Sequence, residues 1–523
     1  MQSYILSLLI FLPLIGGAVV LCLPKANQTL IRWVSLAFAG INVIFSFILA
    51  LLYSQATVSN FSHSSFQERL PWIPSIGINY TLDVDGISLL LVVLTSLLGL
   101  VCMAASYRQQ KRFKNYMAFM LLLQSGILGV FLSANLFLFY IFWELMLIPA
   151  YFLVGTWGGE RRIYAAFKFV LYTSVGSLLM LAGIIAVGYF YTRTAGAGCG
   201  FTLDIGTLTN GLTNANTGAV TCAAHFDSTT QLWLFLAFAA AFAVKIPFVP
   251  FHSWLPDTYS ESPAPVTAIL AGAMSKTGAY GFLRICIPLF PLAVQTLAPF
   301  FSILAVVGIL YCAVLALVQT DLKRILAYSS ISHLGVVMLG MFAFNAQGVE
   351  GSVLQMVNHG ITTATLFLIA GYIEERVGTR NIADFGGIAT RVPIMATILL
   401  IAALSSLGLP GLNSFAGEFL SLLGAFRSNV TLGVLGTAVV VPAAWYMLRF
   451  FQGVMTGPGP ALGPVAQVTR RGGLADIRMG EFLAILPLLA LIFYIGLQPA
   501  PLTFLLHQPV LNTMQNLGNA FIK

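Results

Sequence analysis

The stretch Leu232–Val249, LWLFLAFAAAFAVKIPFV, is long enough to cross a bilayer and holds one charge, Lys245. Placing a lone ionisable group in hydrocarbon costs roughly 2.5–3.5 kcal/mol on insertion scales. That cost is typically borne where the group serves a proton or ion path, so the lysine points to a membrane protein that moves charge. Neighbouring runs repeat the pattern, with Lys276 in Val266–Ile285 and Glu144 in Leu136–Leu153.

Composition agrees. The chain has 523 residues, 58% hydrophobic and 8% charged, where soluble domains carry about 25% charge. Its mean hydropathy is +0.91. Polar groups are too few to cover a soluble surface, so the reading is an all-α polytopic membrane protein. The net charge of +8 is then no nucleic-acid signal and is read through loop asymmetry. Tyr4–Leu23 has no basic region before it and reads as a retained first helix. The six cysteines form no CxxC or metal-ligand spacing, and no GxGxxG or P-loop is present, so no cofactor site is expected in this chain.

Fourteen apolar runs are expected to span, near 4–23, 30–53, 86–106, 115–133, 134–155, 164–191, 229–250, 263–288, 296–318, 322–344, 350–373, 392–428 with a break, 430–455 and 482–504. With the N-terminus outside, inner loops hold 18 of the 25 lysines and arginines. Outer segments then hold five, Arg69, Arg193, Arg284, Arg427 and Lys523. The positive-inside rule therefore puts both termini outside. The long polar loops 54–85 and 192–228 fall on the outer side. The second contains Cys199 and Cys222, which in an oxidising compartment can pair or remain free thiols.

Two runs are interrupted, at Lys245-Ile-Pro247 with Pro250 and at Leu409-Pro410-Gly411. Proline removes a helical hydrogen bond, and free backbone at that depth is tolerated only inside protein or beside water. Paired broken helices mark inverted repeats with ion sites at the breaks. The division expected is 1–114 (helices 1–3), 115–288 and 289–456 (two inverted five-helix repeats), and 457–523 (linker, last helix and tail).

Glu144 lies ten residues into its run, about 15 Å deep at 1.5 Å per residue. Lys245 and Lys276 lie at comparable depth, so the three can form a chain parallel to the membrane. A carboxylate nearby favours a charged lysine and burial disfavours it, so a lysine that gains and loses a glutamate changes its proton affinity. The alternative is a buried ion pair and a separately satisfied lysine. Glu418, just past the second break, reads as a terminal acceptor or an interfacial acid. His333 and His359 read as proton relays or hydrogen-bonded structural histidines. Lys168 reads as a relay or a snorkelling side chain, and His252 as a relay or a residue that positions the break. Asp321, Lys323 and Arg324 read as a solvated turn or a proton entrance.

Three segments carry a family resemblance. They are Ala241-Phe-Ala-Val-Lys-Ile-Pro-Phe-Val-Pro-Phe-His-Ser-Trp-Leu-Pro-Asp257, Gln319-Thr-Asp-Leu-Lys-Arg-Ile-Leu-Ala-Tyr-Ser-Ser-Ile-Ser-His333 and Phe142-Trp-Glu144. Together the chain resembles the antiporter-like membrane subunits of respiratory complex I, the proton-pumping NADH–quinone oxidoreductase. Gly408-Leu-Pro-Gly-Leu-Asn-Ser-Phe-Ala-Gly-Glu418 is similar to the chain M-like branch, which has glutamate where the sibling chains L and N have lysine. The resemblance implies fourteen helices and two inverted repeats. It implies Glu144 as the pairing acid, Lys245 as the pumping lysine, Lys276 as the bridge and Glu418 as the last residue before exit. It also implies chains L and N and small membrane subunits as partners in a bacterial inner membrane, with NADH, FMN, iron–sulfur clusters and quinone held by other subunits. The loop at 192–228 is longer than the family's usual one. A multisubunit cation/proton antiporter subunit, a membrane-bound hydrogenase-type subunit and a purely structural spacer remain as alternatives.

Overall fold

In a computed structural model the structure describes residues 4–58, 66–73, 77–195, 199–213, 220–222, 226–457, 464–466 and 474–521. Arg470, Arg471 and Lys523, three of the cations used for orientation, lie outside the described residues. The chain is an all-helical membrane protein with two small antiparallel hairpins, Glu68–Ile73 with Ile78–Leu82 and Leu212–Thr213 with Val220–Thr221. Both hairpins and the links 83–85, 133–135 and 342–345 lie at one end of the helices, called here the hairpin face. The basic links 106–112, 158–161 and 378–392 lie at the other, called here the basic face.

Twelve helices among the described residues are long and apolar enough to cross a membrane, against the fourteen expected. The difference lies in the two remaining runs, which are not single helices. Residues 264–289 alternate α-helix with π turns at Leu270–Met274 and Phe282–Cys286. Residues 393–428 divide into Pro393–Ser406 and Asn413–Ser428. The first expected break is present as well, since Ser228–Lys245 ends at the lysine and helix resumes at Trp254–Glu261. The last span also differs. It ends at Leu497, and a separate helix, Ala500–Phe521, follows in place of a tail. This helix packs on Gly86–Ala105, Ile287–Leu289, Pro291–Val318 and Ala346–Val377, so it crosses the hairpin-face ends of four elements.

Short polar side chains fix where the site-bearing helices begin. Asn135 caps Leu136–Trp157 through the N–H groups of Phe137 and Leu138. Asp321 caps Leu322–Met341, and Asn345 caps Ala346–Val377. Each cap satisfies donors that a helix start leaves free, typically worth about 1 kcal/mol. On the hairpin face, buried Asp204 accepts from Arg69 (2.7 Å), Asn79 (3.1 Å), Thr81 (2.9 Å) and Asn135 (2.7 Å). It thereby binds the second polar loop to the first hairpin and to the helix of Glu144. Cys199 and Cys222 are joined by a disulfide, and Tyr191 donates to the Cys222 carbonyl at 2.9 Å.

Candidate proton-transfer site

The first break exposes backbone that the structure satisfies locally. Trp254 Nε1 donates to the Val244 carbonyl at 2.9 Å, and Phe248 N–H to Ala243 at 3.0 Å. Lys245, at the end of the first half-helix, is fully buried, and its ammonium has no hydrogen-bond partner among the described residues. Aromatic faces surround it instead: the Trp143 and Phe169 rings each lie 5.4 Å from Nζ. Cation–π attraction holds a charge there without fixing a proton to an acceptor. Glu144 adjoins Trp143 and supplies the opposite charge that acts on Lys245, but no ion pair within 4 Å joins the two. Its Oε1 is buried without a hydrogen-bond partner. The pair is held apart in this structure, the state the switch reading requires for a lysine without its acid.

Lys276 follows the first π turn. There Ser275 N–H reaches the Leu270 carbonyl at 3.0 Å, while Ala271 O accepts from Ser275 Oγ at 2.8 Å and from Lys276 Nζ at 2.5 Å. π turns of this kind are frequent at functional sites. From Lys276 a run of titratable groups follows, hydrogen-bonded at both ends and joined in the middle by two neighbouring histidine rings. Nζ lies 2.7 Å from His359 Nδ1, and the His359 and His333 rings are centred 5.8 Å apart. His333 Nδ1 lies 2.7 Å from Glu418 Oε1, and Gln355 Nε2 donates to that same oxygen at 2.8 Å. His333 Nε2 faces Ser406 Oγ at 3.3 Å and Tyr446 Oη at 3.5 Å. Four of the predicted residues thus lie in one run, in which Glu418 contacts His333 and accepts from Gln355.

The two lysine-bearing elements cross at Gly278. A Cβ there would meet Ile246 Cγ1 at 2.8 Å, Phe242 O at 2.9 Å and Lys245 Cβ at 3.1 Å. Glycine is what lets the backbone two residues past Lys276 approach the Lys245 turn.

Toward the basic face, Lys168 turns inward rather than toward an interface. It donates to Ser253 O at 3.0 Å and pairs with Asp257 at 2.8 Å. Asp257 also pairs with Arg324 at 2.7 Å. His252 stands in the break with its ring edge-on to Tyr311, centroids 5.7 Å apart, and its Nδ1 buried without a partner. The 321–324 segment is no ordinary solvated turn. Asp321 is a helix cap, and Lys323 is buried, pairing with Glu374 at 2.6 Å and donating to Ser262 O at 3.1 Å. Beside it, Arg380 contacts Ser260 O and faces Glu261, Asp321 and Glu374. Burial opposes the Arg380 charge, but the three acids outweigh it and hold the guanidinium more firmly protonated than usual. Glu261, Ser262, Lys323, Glu374 and Arg380 line a cavity of about 650 Å³. On the hairpin face, Asp83, Asp85 and Arg284 line one of about 490 Å³, where burial pushes the Asp83 carboxyl up to about 6 against the pull of Arg284.

Sequence reading missed Trp143, Phe169, Ser275, Gln355 and Asp257. Asp257 had a signal, as the last residue of the long segment that begins at Ala241. Trp143 had one too, as the middle of Phe142-Trp-Glu144, whereas Phe169, Ser275 and Gln355 had none, being unremarkable in apolar helices.

The family model described as "NADH:quinone oxidoreductase/Mrp antiporter, TM" matches residues 133–441, more than half of the chain, a range that includes Glu144, Lys245, Lys276, His333, His359 and Glu418. NADH-quinone oxidoreductase subunit M of Rickettsia bellii (strain RML369-C) is 38% identical over 518 residues, covering 98% of each chain. NADH-ubiquinone oxidoreductase chain 4 of Marchantia polymorpha is 36% identical over 516 residues, covering 98% of this chain and 97% of that one. A chain of respiratory complex I from Thermus thermophilus with bound NADH matches with a TM-score of 0.85 and 29% identity, over 98% of this chain and 99% of that chain. The chain belongs to the NADH:quinone oxidoreductase/Mrp antiporter transmembrane family.

Proposed function

We propose that this chain is a proton-translocating membrane-arm subunit of an NADH–quinone oxidoreductase. The observation that carries the reading is the run Lys276–His359–His333–Glu418, set beside a separated Glu144 and Lys245. A proton enters from the basic face past Lys168, Asp257 and His252 and loads Lys245. Glu144 near the lysine favours its charged form, and withdrawal of the acid favours release. The proton then passes by water to Lys276, through the two histidines to Glu418, and out at the hairpin face.

Relatives named as NADH-quinone oxidoreductase subunit M and the glutamate at 418 support this assignment over a free-standing cation/proton antiporter or a hydrogenase-type subunit. On this reading the basic face is cytoplasmic, both termini are outside a bacterial inner membrane, and 115–288 and 289–456 are inverted repeats with the broken helix fourth in each. Neighbours would be the antiporter-like chains L and N and small membrane subunits. NADH, FMN, iron–sulfur clusters and quinone would be held by other subunits. Moving one charge through 100 mV costs about 2.3 kcal/mol, which their redox chemistry supplies.

The test is the whole complex carrying Glu144→Gln, purified and placed in proteoliposomes, with quinone reduction and proton uptake measured together. Loss of pumping in a fully assembled complex is expected. Unchanged pumping and unchanged reduction in this variant and in Lys245→Ala would sink the proposal.

A further inference from the structure

Two buried side chains bridge the second break, Asn413 and Thr362, whose Oγ1 lies 2.7 Å from Ser405 Oγ. Asn413 opens the helix that carries Glu418 and is fully buried. Its Oδ1 accepts from Ser405 Oγ at 2.6 Å and from Thr362 Oγ1 at 3.2 Å. Its Nδ2 donates to the Asn358 carbonyl at 3.1 Å, and Asn358 Nδ2 returns a bond to the Asn413 carbonyl at 2.7 Å. Ser405 lies on the half-helix before the break, Asn358 and Thr362 on Ala346–Val377. One amide therefore ties together both halves of the broken helix and the helix of the second histidine.

The partners of Asn413 sit beside the proton chain. Asn358 immediately precedes His359, which contacts Lys276. Ser405 immediately precedes Ser406, whose hydroxyl faces His333 Nε2. Thr362 lies one turn past His359 on the same helix. Proton transfer along hydrogen bonds depends on donor–acceptor distances of about 2.6–3.2 Å. A half-helix that drifts by an ångström moves Ser406 off His333, or Glu418 off both His333 and Gln355. The first break has no counterpart to this amide. A tryptophan closes that one, and the lysine beside it bonds to nothing.

We infer that Asn413 is the positioning residue of the second break, keeping His333, His359 and Glu418 in transfer register. It carries no proton, and the inference rests on the proposed function above.

The experiment uses the whole complex in proteoliposomes with Asn413→Leu, Asn413→Asp and Asn358→Leu, and the double variant of the two leucines. Asn413→Leu is expected to assemble normally, with proton uptake down about tenfold, the scale of one buried hydrogen-bonded pair lost. If Asn413 and Asn358 act as a unit, the double variant is no worse than the worse single. Asn413→Asp keeps both acceptor contacts and regains a donor to the Asn358 carbonyl only when protonated. Its activity therefore recovers toward the parent as pH falls, while Asn413→Leu keeps the parent's profile at lower amplitude. Lys276, His333, His359 and Glu418 face the site unchanged in both variants, so the difference between the two profiles isolates position 413. Should Asn413→Leu fail to assemble, Ser405→Ala removes only the Ser405 hydroxyl contacts to Asn413 and Thr362 and is expected to lose about threefold. Parent-like pumping in the assembled position-413 or Ser405 variant, with Glu418→Gln inactive, would overturn the inference alone. Parent-like pumping in Glu418→Gln as well would overturn the proposed function with it.

Discussion

Lys245 and Lys276 are both fully buried and live in opposite surroundings. Lys245 sits among aromatic rings with no hydrogen-bond partner, its acid close enough to act on it but not in contact. Lys276 is bonded on three sides and opens a chain of histidines that ends on a carboxylate. A lone buried charge responds strongly to any partner that approaches, because little else offsets its desolvation. A bonded charge is steadier and passes its proton along what it touches. On the proposed function, the first region changes state and the second conducts.

Removing a link from the conducting region is expected to do the most damage. Lys276→Ala or Glu418→Gln should cut proton uptake by roughly 10²-fold, the lower scale of a positioned proton-transfer group. Uptake by reconstituted complex checks this. A loss in Lys276→Ala no larger than that in Glu144→Gln would erase the distinction between the regions.

Glu144→Gln acts on the switching region by removing the charge without changing shape. A loss of about tenfold is expected, equal to about 1.4 kcal/mol of Lys245 charge stabilisation, in quinone reduction and uptake alike. Lys245 bonds to nothing, so a Glu144→Asp variant, whose acid is shorter, should lie between parent and Gln. A Glu144→Asp variant as inactive as Gln would favour a contact role over a field.

Gly278→Ala tests the junction between the two regions. The added methyl meets three atoms at 3.1 Å or less, and overpacking of this kind costs about 1–3 kcal/mol. A lowered thermal midpoint of the isolated complex is expected, with a few-fold loss of uptake as Lys245 is displaced. An unchanged midpoint would mean that the crossing is looser than these distances imply.

The smallest effect is expected from Cys199→Ser with Cys222→Ser. The loop-entropy model gives this disulfide about 3 kcal/mol, and Asp204 still anchors the segment through four side chains. Uptake should remain at the parent level while limited proteolysis at 199–222 becomes faster. A loss of uptake would place the disulfide-closed segment itself in the conducting path.

Legibility in the sequence followed chemical contrast. Glu144, Lys245, Lys276 and Glu418 stood out because a charge in an apolar run is costly, and the breaks stood out because Pro247, Pro250 and Pro410 punctuate helices. The two histidines were visible one by one, but their meeting was not, since they lie 26 positions apart on two successive helices. The π turns that aim Lys276 carry no marker residue. Trp143 and Phe169 became meaningful only when folding set them over an ammonium. The Ala500–Phe521 helix was hidden because asparagines and glutamines dilute its apolar side.

That last helix constrains the kind of machine this can be. On the hairpin face it straps together Gly86–Ala105, Ile287–Leu289, Pro291–Val318 and Ala346–Val377. On the opposite face Asp257 is shared between Lys168 and Arg324, and Arg380 reaches Glu261. Bolted at both ends, the bundle cannot work as a revolving door that swings one half past the other. Its moving parts must be small: a carboxylate, a half-helix, a ring flip. Protons cross such a body as current crosses a circuit whose casing stays still.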